Sequence, residues 1–266
     1  MPVLNSHFAF CISHFALLAI LSGCAAKRLS LPSDSGSPLP EFAQVHEQVS
    51  AACRTVRTLT VELSLAGRAG GRRLSGRVVS GFEQPRSMRL EGVAPFGPAA
   101  FILVARGDMA RLVLPRENLV LSDASAEDVL GALTGVALAP ADLQAILTGC
   151  VTPVPMAAAG RLHRDGWASI DLEAGATAYL RRQGPVWRMR AARRGDWQLD
   201  YPAWQGSFPR VVRMRSGAGM VDLEATLSQL EANVGLDPAA FEVAVPPGAR
   251  PITLDQLRDA GPLRGQ

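Results

Sequence analysis

The chain has 266 residues, a formal net charge of +3 at pH 7 and four cysteines. So small a positive charge does not favour a nucleic-acid-binding protein. The 25 glycines and 19 prolines separate short apolar stretches, which is typical of a mainly β protein with many turns.

The first predicted element is an uncharged apolar run from Phe8 to Leu21, followed by Ser22-Gly23-Cys24. The run is too short for a comfortable transmembrane helix, which needs about 20 apolar residues. Its order of apolar run, small residues and cysteine is that of a bacterial lipoprotein signal. We therefore predict a signal peptide over residues 1–23 and lipidation of Cys24. No Lys or Arg precedes the run, and an uncleaved anchor with an incidental cysteine is the alternative.

Residues 24–41 are predicted to be the lipidated cysteine and a flexible tether, because Ser, Pro and Gly dominate from Lys27 to Pro40. Such a linker would reach about 20 Å as a flexible coil. An amphipathic helix follows, with an apolar stripe from Phe42 to Leu59 at helical spacing.

From Leu59 the apolar period changes to two, which predicts an antiparallel meander. Two short helices interrupt it. Ser125 can cap the first, with Gly135 as its stop, and Pro140 begins the second, which Gly149 ends. The expected strands are Leu59–Leu65, Leu74–Phe82, Ser87–Gly92, Ala99–Arg106, Met109–Leu114, Asn118–Leu121, Gly160–Arg164, Trp167–Leu172, Ala176–Arg182, Val186–Arg193, Trp197–Tyr201, Arg210–Arg215, Met220–Leu230 and Phe241–Val245.

So long a sheet curls, and its apolar side needs cover. Three short helices cover only part of one face, which favours an apolar cavity, although a closed barrel or a sandwich would show the same alternation. Cys53 and Cys150 are predicted either to pair in an oxidising compartment or to be buried free thiols.

Two features of the chain have both a functional and an ordinary explanation. Phe96 lies in the rigid turn Val93-Ala94-Pro95-Phe96-Gly97-Pro98, where it either projects or folds back onto the sheet. The arginines of two adjacent predicted strands either meet anionic head groups or form a solvated face. They are Arg181, Arg182, Arg188, Arg190, Arg193 and Arg194.

The pieces RLEGVAPFGPAAFILV and SAEDVLGALTGVALAPADLQAILTG, within Met88 to Gly149, resemble the LolB family of outer-membrane lipoprotein receptors. Downstream, DWQLDYPAW and FPRVVRMRS resemble two further strands of that family, whereas FEVAVPPGARPITLDQL is more similar to LolA-type carriers. The resemblance covers roughly residues 42–230. It identifies the chain as a divergent member of the LolA/LolB lipoprotein-localisation superfamily.

The resemblance implies a half-barrel of about eleven antiparallel strands over residues 42–250, closed by a helical lid, with a polar tail at 251–266. It implies attachment to the periplasmic face of the outer membrane, which Ala25 after the lipidated cysteine fits. The partners implied are acyl chains of lipoproteins or lipids, the outer membrane and a periplasmic LolA-type carrier. Phe96 would be the residue that inserts into the membrane. The cavity would be lined by Leu63, Val78, Phe82, Leu90, Leu103, Leu112, Leu114, Leu130, Leu133, Leu143, Ile146 and Leu147.

Enzyme chemistry has little support in the sequence. His46 and His163 lack metal-ligand spacing, and no nucleophile elbow or phosphate-binding loop is present. We therefore expect no catalytic residue, no metal and no cofactor. The alternative to a lipid-binding protein is a structural or accessory envelope lipoprotein that acts through protein contacts.

Overall fold

The structure is a computed structural model, and it describes residues 29–151, 156–217 and 219–260. The predicted signal peptide and Cys24 lie outside the described residues. From Pro32 onward the chain forms one compact unit, which contains the sheet and its helices.

The fold is mainly β. The described strands belong to one sheet of fifteen, in the order β1-β8-β9-β10-β11-β12-β13-β14-β2-β3-β4-β5-β6-β7-β15. Their bounds are β1 Ser37–Pro38, β2 Thr58–Ala69, β3 Arg72–Glu83, β4 Ser87–Val93, β5 Phe101–Arg106, β6 Met109–Leu114, β7 Leu119–Ala124, β8 Ala157–Leu162, β9 Trp167–Leu172, β10 Ala176–Gln183, β11 Val186–Arg194, β12 Trp197–Gln205, β13 Phe208–Ser216, β14 Val221–Ala232 and β15 Arg250–Pro251.

The sheet is curved and open, because β1 and β15 end the order without pairing with each other. Every neighbouring pair is antiparallel except β15 with β7, which is parallel. One pairing joins distant parts of the chain: β14 lies beside β2, with Val221 opposite Ala69 and Ala232 opposite Leu59. This pairing makes one continuous sheet from two successive meanders.

Within the described residues, four α-helices accompany the sheet: α1 Phe42–Thr55, α2 Ala126–Thr134, α3 Pro140–Leu147 and α4 Leu254–Ala260. The start of α2 is as predicted, since the Ser125 side chain accepts a 3.0 Å hydrogen bond from the Asp128 N–H. Gly135 ends the helix in the left-handed region at φ 73°. Pro140 occupies the first turn of α3, where its missing N–H is not needed.

The core lies between the helices and one face of the sheet. On β2 the buried Leu59, Val61 and Leu63 alternate with half-buried Thr60 and Glu62, as a half-covered sheet requires. The same period continues across the neighbouring strands. The predicted mainly β fold with a curved antiparallel sheet and short helices is therefore confirmed.

The strand count is higher than the predicted eleven, partly because two strands have only two residues. The predicted strand Phe241–Val245 is absent: a 3₁₀ turn occupies Pro238–Phe241, and the following residues are irregular. Arg89 on β4 holds this segment by donating to the carbonyls of Ala240 and Glu242 at 3.2 and 3.1 Å. Pro246 and Pro247 then lack the N–H groups that a paired strand needs.

Both predicted flanking segments also carry structure. Within the expected tether, Ser37–Pro38 pairs with β8 and Leu39 is buried. Within the expected polar tail, Pro251 pairs with Val120 of β7, and Leu257 of α4 is buried against α2. Ile252 and Leu254 also pack against the core, so three apolar residues dock this short segment although the rest of its sequence is mostly polar.

Candidate functional site

A cavity of about 980 Å³ lies between the sheet and the helices α2 and α3. Its size is at the upper end of that of small-molecule sites, which run from about 300 to 1,000 Å³. The lining consists mainly of aliphatic side chains from β2, β3, β4, β13, β14, α2 and α3. No Asp or Glu is among its described lining residues. Arg77 and Arg116 also belong to the lining, so a ligand here would meet mainly apolar surface and two guanidinium-bearing residues.

The cavity exists because α2 and α3 are short. With nine and eight residues at 1.5 Å per residue they span only about 12–14 Å, whereas the twelve-residue strands beneath them extend about 40 Å. The helices therefore cover the sheet only in part. The space between the helices and the sheet stays unfilled above Gly76 of β3, because a Cβ atom placed on Gly76 would meet no atom within 4 Å.

The structure places eight of the twelve predicted cavity residues in the lining. They are Leu63, Val78, Leu90, Leu130, Leu133, Leu143, Ile146 and Leu147.

The other four, Phe82, Leu103, Leu112 and Leu114, are not in the lining and are buried in the packed core. Phe82 sits opposite Met88 and Leu59 in the sheet, both fully buried. Leu103 sits opposite Leu112 on β6, the strand on which α2 packs. These positions share the apolar period of the lining residues, but helix and neighbouring strand side chains fill the space above them.

Several lining residues were not predicted. Val212, Met214, Leu223 and Ala225 on β13 and β14 face the cavity from the other half of the sheet. Their period-two pattern was visible in the sequence. Their position beside Leu63 and Leu65 was not, because it depends on the pairing of β14 with β2.

The loop between β4 and β5 forms part of the cavity wall and carries Phe96. Ala94 and Pro95 line the cavity, whereas the Phe96 side chain is 88% exposed. Arg116 on the β6–β7 turn donates to the Phe96 carbonyl at 2.7 Å and to the Pro98 carbonyl at 3.4 Å. The loop is therefore braced through its backbone, while the aromatic ring projects into solvent.

The far end of α3 is tied to α1 and to the sheet. Cys53 and Cys150 form a disulfide with a Cα–Cα distance of 6.3 Å, within the usual range. Beneath it, the Tyr201 hydroxyl lies 3.3 Å from the carbonyls of both Ile146 and Cys150. Burial raises the pKa of Tyr201 above its ordinary value, so its proton stays available to these carbonyls.

The charged groups near the cavity are arginines at its edge. Arg77 pairs with Glu62 at 2.6 Å, and both lie on strands that contribute to the wall. Arg116 is engaged with the loop carbonyls described above.

The described residues contain no group of three His, Cys, Asp or Glu side chains that could hold a metal ion. No helix in the described part of the chain combines the length and apolarity of a membrane span.

No protein-family model matches the chain, and no curated protein is similar to it in sequence. Solved structures give weak matches. A putative outer membrane lipoprotein-sorting protein domain from Vibrio parahaemolyticus is 10% identical, with a TM-score of 0.49, covering 76% of this chain and 94% of its own. A LolA superfamily protein from Nitrosomonas europaea is 10% identical, with a TM-score of 0.48, covering 78% and 98%.

A DUF1329 family protein from Desulfovibrio piger is 12% identical, with a TM-score of 0.45, covering 77% of this chain and 98% of its own. All three identities are below 25% and all three TM-scores are below 0.5.

Proposed function

We propose that the protein is a lipid-anchored envelope lipoprotein that binds acyl chains of lipoproteins or lipids in its cavity and helps to insert them into the outer membrane. It acts by binding and has no catalytic step. The observation that carries the proposal is the cavity of about 980 Å³ with its aliphatic lining.

The cavity fits an acyl chain because such a ligand needs apolar surface and few directed polar contacts. Each buried CH₂ group contributes about 0.8 kcal/mol. The wall offers Leu, Val, Ile and Met side chains, and its few polar members lie toward its edge. A polar or charged ligand would lose its hydration here without gaining partners, which argues against small polar substrates.

The exposed Phe96 ring supports a role in delivery. It adjoins Ala94 and Pro95, which line the cavity, so a ring buried in a membrane interface would bring the cavity wall to the bilayer. Lipidation at Cys24 would keep the domain on that membrane. A periplasmic carrier of the LolA type would supply the acylated cargo.

Acyl binding is tested by filling the cavity from β3. Gly76→Leu adds a side chain where a Cβ meets no atom within 4 Å, so it should reduce uptake of a fluorescent fatty-acid probe without loss of folding. Gly81→Leu is the matched control. Gly81 lies five residues from Gly76 on the same strand, so its side chain would point to the face away from the cavity. A Cβ atom there also meets nothing within 4 Å.

The expected result is weaker probe binding in Gly76→Leu and unchanged binding in Gly81→Leu. Mass spectrometry of gently purified wild-type protein should also find co-purified lipid. Equal probe binding in both variants, or the absence of uptake by the wild type, would contradict the proposal and favour a role in protein contacts.

A further inference from the structure

Three arginines of β10 and β11 share one face of the sheet apart from the cavity, here called the arginine surface: Arg181, Arg188 and Arg193. Arg193 lies opposite Thr177, which is four residues from Arg181 on β10 and therefore on the same face. The other three predicted members do not share this face: Arg182 and Arg194 each lie one position further along and belong to the opposite face, and Arg190 lies at the bulge of β11.

Among the described residues, none of the three members lies within 4.0 Å of a carboxylate oxygen. Arg181 sits directly opposite Arg188 in the sheet register, where like charges destabilise a strand pair. The fold therefore leaves this positive charge uncompensated.

Two of these guanidinium groups are held in place on tryptophan rings. Arg181 lies 5.1 Å from the ring centre of Trp167, and Arg188 lies 5.3 Å from the ring centre of Trp204. Cation–π contacts at such distances are attractive.

Backbone carbonyls hold both of these side chains further. Arg181 donates to the Asp165 carbonyl and Arg188 to the Gly206 carbonyl. Fixed side chains lose less conformational entropy when they bind a partner, so the arginine surface is organised before a ligand arrives.

A further positive charge lies beside this surface. Burial, followed by the positive charge of Arg181, lowers the pKa of Arg190 below its ordinary value. An anion at this surface would relieve the repulsion between these neighbouring arginines.

We infer that the arginine surface binds the anionic phospholipid head groups of a membrane. The arginines are spread over strands of eight and nine residues, about 25–30 Å long, so they match a charged plane better than one small anion. Arg73, Arg68 and other arginines on distant strands do not share the tryptophan contacts, which confines the organised donors to this part of the sheet.

The path of the N-terminal segment favours a membrane over an acidic protein. β1 pairs with β8, and β10 lies three strands from β1, about 15 Å away at the usual strand spacing. Ser37 lies opposite Leu162, close to the β8–β9 turn, and this turn is at the same end of the strands as the β10–β11 turn. An acyl anchor at Cys24, which is part of the proposed function, would hold this end of the sheet near the bilayer.

Antiparallel alternation puts the two tryptophan-stacked arginines, Arg181 and Arg188, at the opposite strand ends from Phe96. The protein therefore has two separate membrane contacts, one electrostatic beside the tether and one apolar beside the cavity. The arginine surface holds the anchored domain on the membrane, and the Phe96 loop engages when cargo is delivered.

The test uses the full chain with Cys24→Ala, so that no acyl anchor contributes, and measures its sedimentation with vesicles. Vesicles of phosphatidylcholine containing phosphatidylglycerol should bind the protein, and binding should weaken at high salt. Each arginine near an anionic surface contributes about 1 kcal/mol, about fivefold in affinity. Combined replacement of Arg181, Arg188 and Arg193 by Gln should therefore weaken binding on the order of a hundredfold.

The matched control replaces Arg57, Arg111 and Arg250, three exposed arginines elsewhere, by Gln and removes the same net charge. It should bind the anionic vesicles nearly as well as the parent chain. Replacement of Arg181, Arg188 and Arg193 by Lys keeps the charge and should retain most of the binding, which separates loss of charge from a folding defect in the Gln variant.

Equal binding to pure phosphatidylcholine vesicles would overturn the inference, as would equal losses in the two Gln variants. Stronger, salt-sensitive binding to polyglutamate than to the anionic vesicles would also overturn it, in favour of an acidic protein partner. Uptake of the fatty-acid probe is measured in the same samples. Loss of probe uptake with intact vesicle binding would contradict the proposed cavity function alone, and the reverse result would contradict the arginine surface alone.

Discussion

Replacing Phe96 by Glu should impair delivery of cargo to membranes while leaving the fold intact. The ring is 88% exposed, so its removal takes little from the core. The bonds that brace the loop run from Arg116 to the carbonyls of Phe96 and Pro98, and they do not depend on the side chain. The free energy of unfolding should therefore change by no more than about 0.5 kcal/mol.

The effect on membrane contact should be much larger. Full burial of a Phe side chain contributes about 1.5–3 kcal/mol, and an 88% exposed ring has most of that still to gain. Since about 1.4 kcal/mol corresponds to a tenfold change, Phe96→Glu should slow transfer by at least about tenfold. The carboxylate adds a further penalty in an apolar interface.

The assay loads the protein with a fluorescent acylated cargo, adds liposomes and follows transfer, with circular dichroism to monitor the fold. Phe96→Leu is the conservative variant and should retain most of the transfer rate. Met109→Glu is the matched control, because Met109 is also an exposed apolar residue, at 50% exposure, and it is not in the cavity lining.

Unchanged transfer by Phe96→Glu would refute the insertion role, and so would an equal defect in Met109→Glu. Loss of folding in Phe96→Glu would show that the ring contributes to the core instead.

Three further predictions concern the anchor, the disulfide and a buried histidine. Cys24→Ala should release the protein from membranes in a carbonate wash, and retention in the membrane fraction would contradict lipidation. Cys53 and Cys150 close a loop with a sequence separation of 97, so replacing both by Ser should lower the free energy of unfolding by about 4–5 kcal/mol in the chain-entropy model. Urea unfolding measures this, and two labelled thiols in unfolded, unreduced wild type would contradict the bridge. Burial, and then the charge of Arg54, hold the pKa of His46 below its ordinary value of 6.5, so its contribution to stability is present above that pH and is lost as the pH falls. Unfolding experiments across this range should show less acid sensitivity in His46→Gln, and identical pH profiles would argue against the histidine.

The local elements of the fold could be predicted from the sequence because their signals are local. Ser125 and Gly135 bound α2, and Pro140 begins α3, since caps and proline act on the few residues beside them. The period-two pattern of β2 and β3 likewise assigns each residue to a face of the sheet. The stiff turn around Phe96 was visible from Pro95 and Pro98, although the sequence left open whether the ring projects.

The cavity was predictable only in part, for a physical reason. Periodicity assigns Leu63 and Phe82 to the same apolar face, but it does not show what packs above each of them. Leu63 lines the cavity, whereas Phe82 is enclosed by its neighbours. How far the short helices reach along the strands decides between the two outcomes.

Long-range pairing was decided by the tertiary structure alone. The register of β14 on β2 joins residues more than 150 positions apart, such as Leu227 and Leu63, and brings Met214 and Ala225 to the cavity. The stacking of Arg181 on Trp167 depends in the same way on the pairing of β9 with β10. The sequence by itself determined the elements, their apolar faces and the predicted lipidation site. Only the folded sheet decided which apolar residues are core and which line the cavity, because both kinds obey the same local pattern.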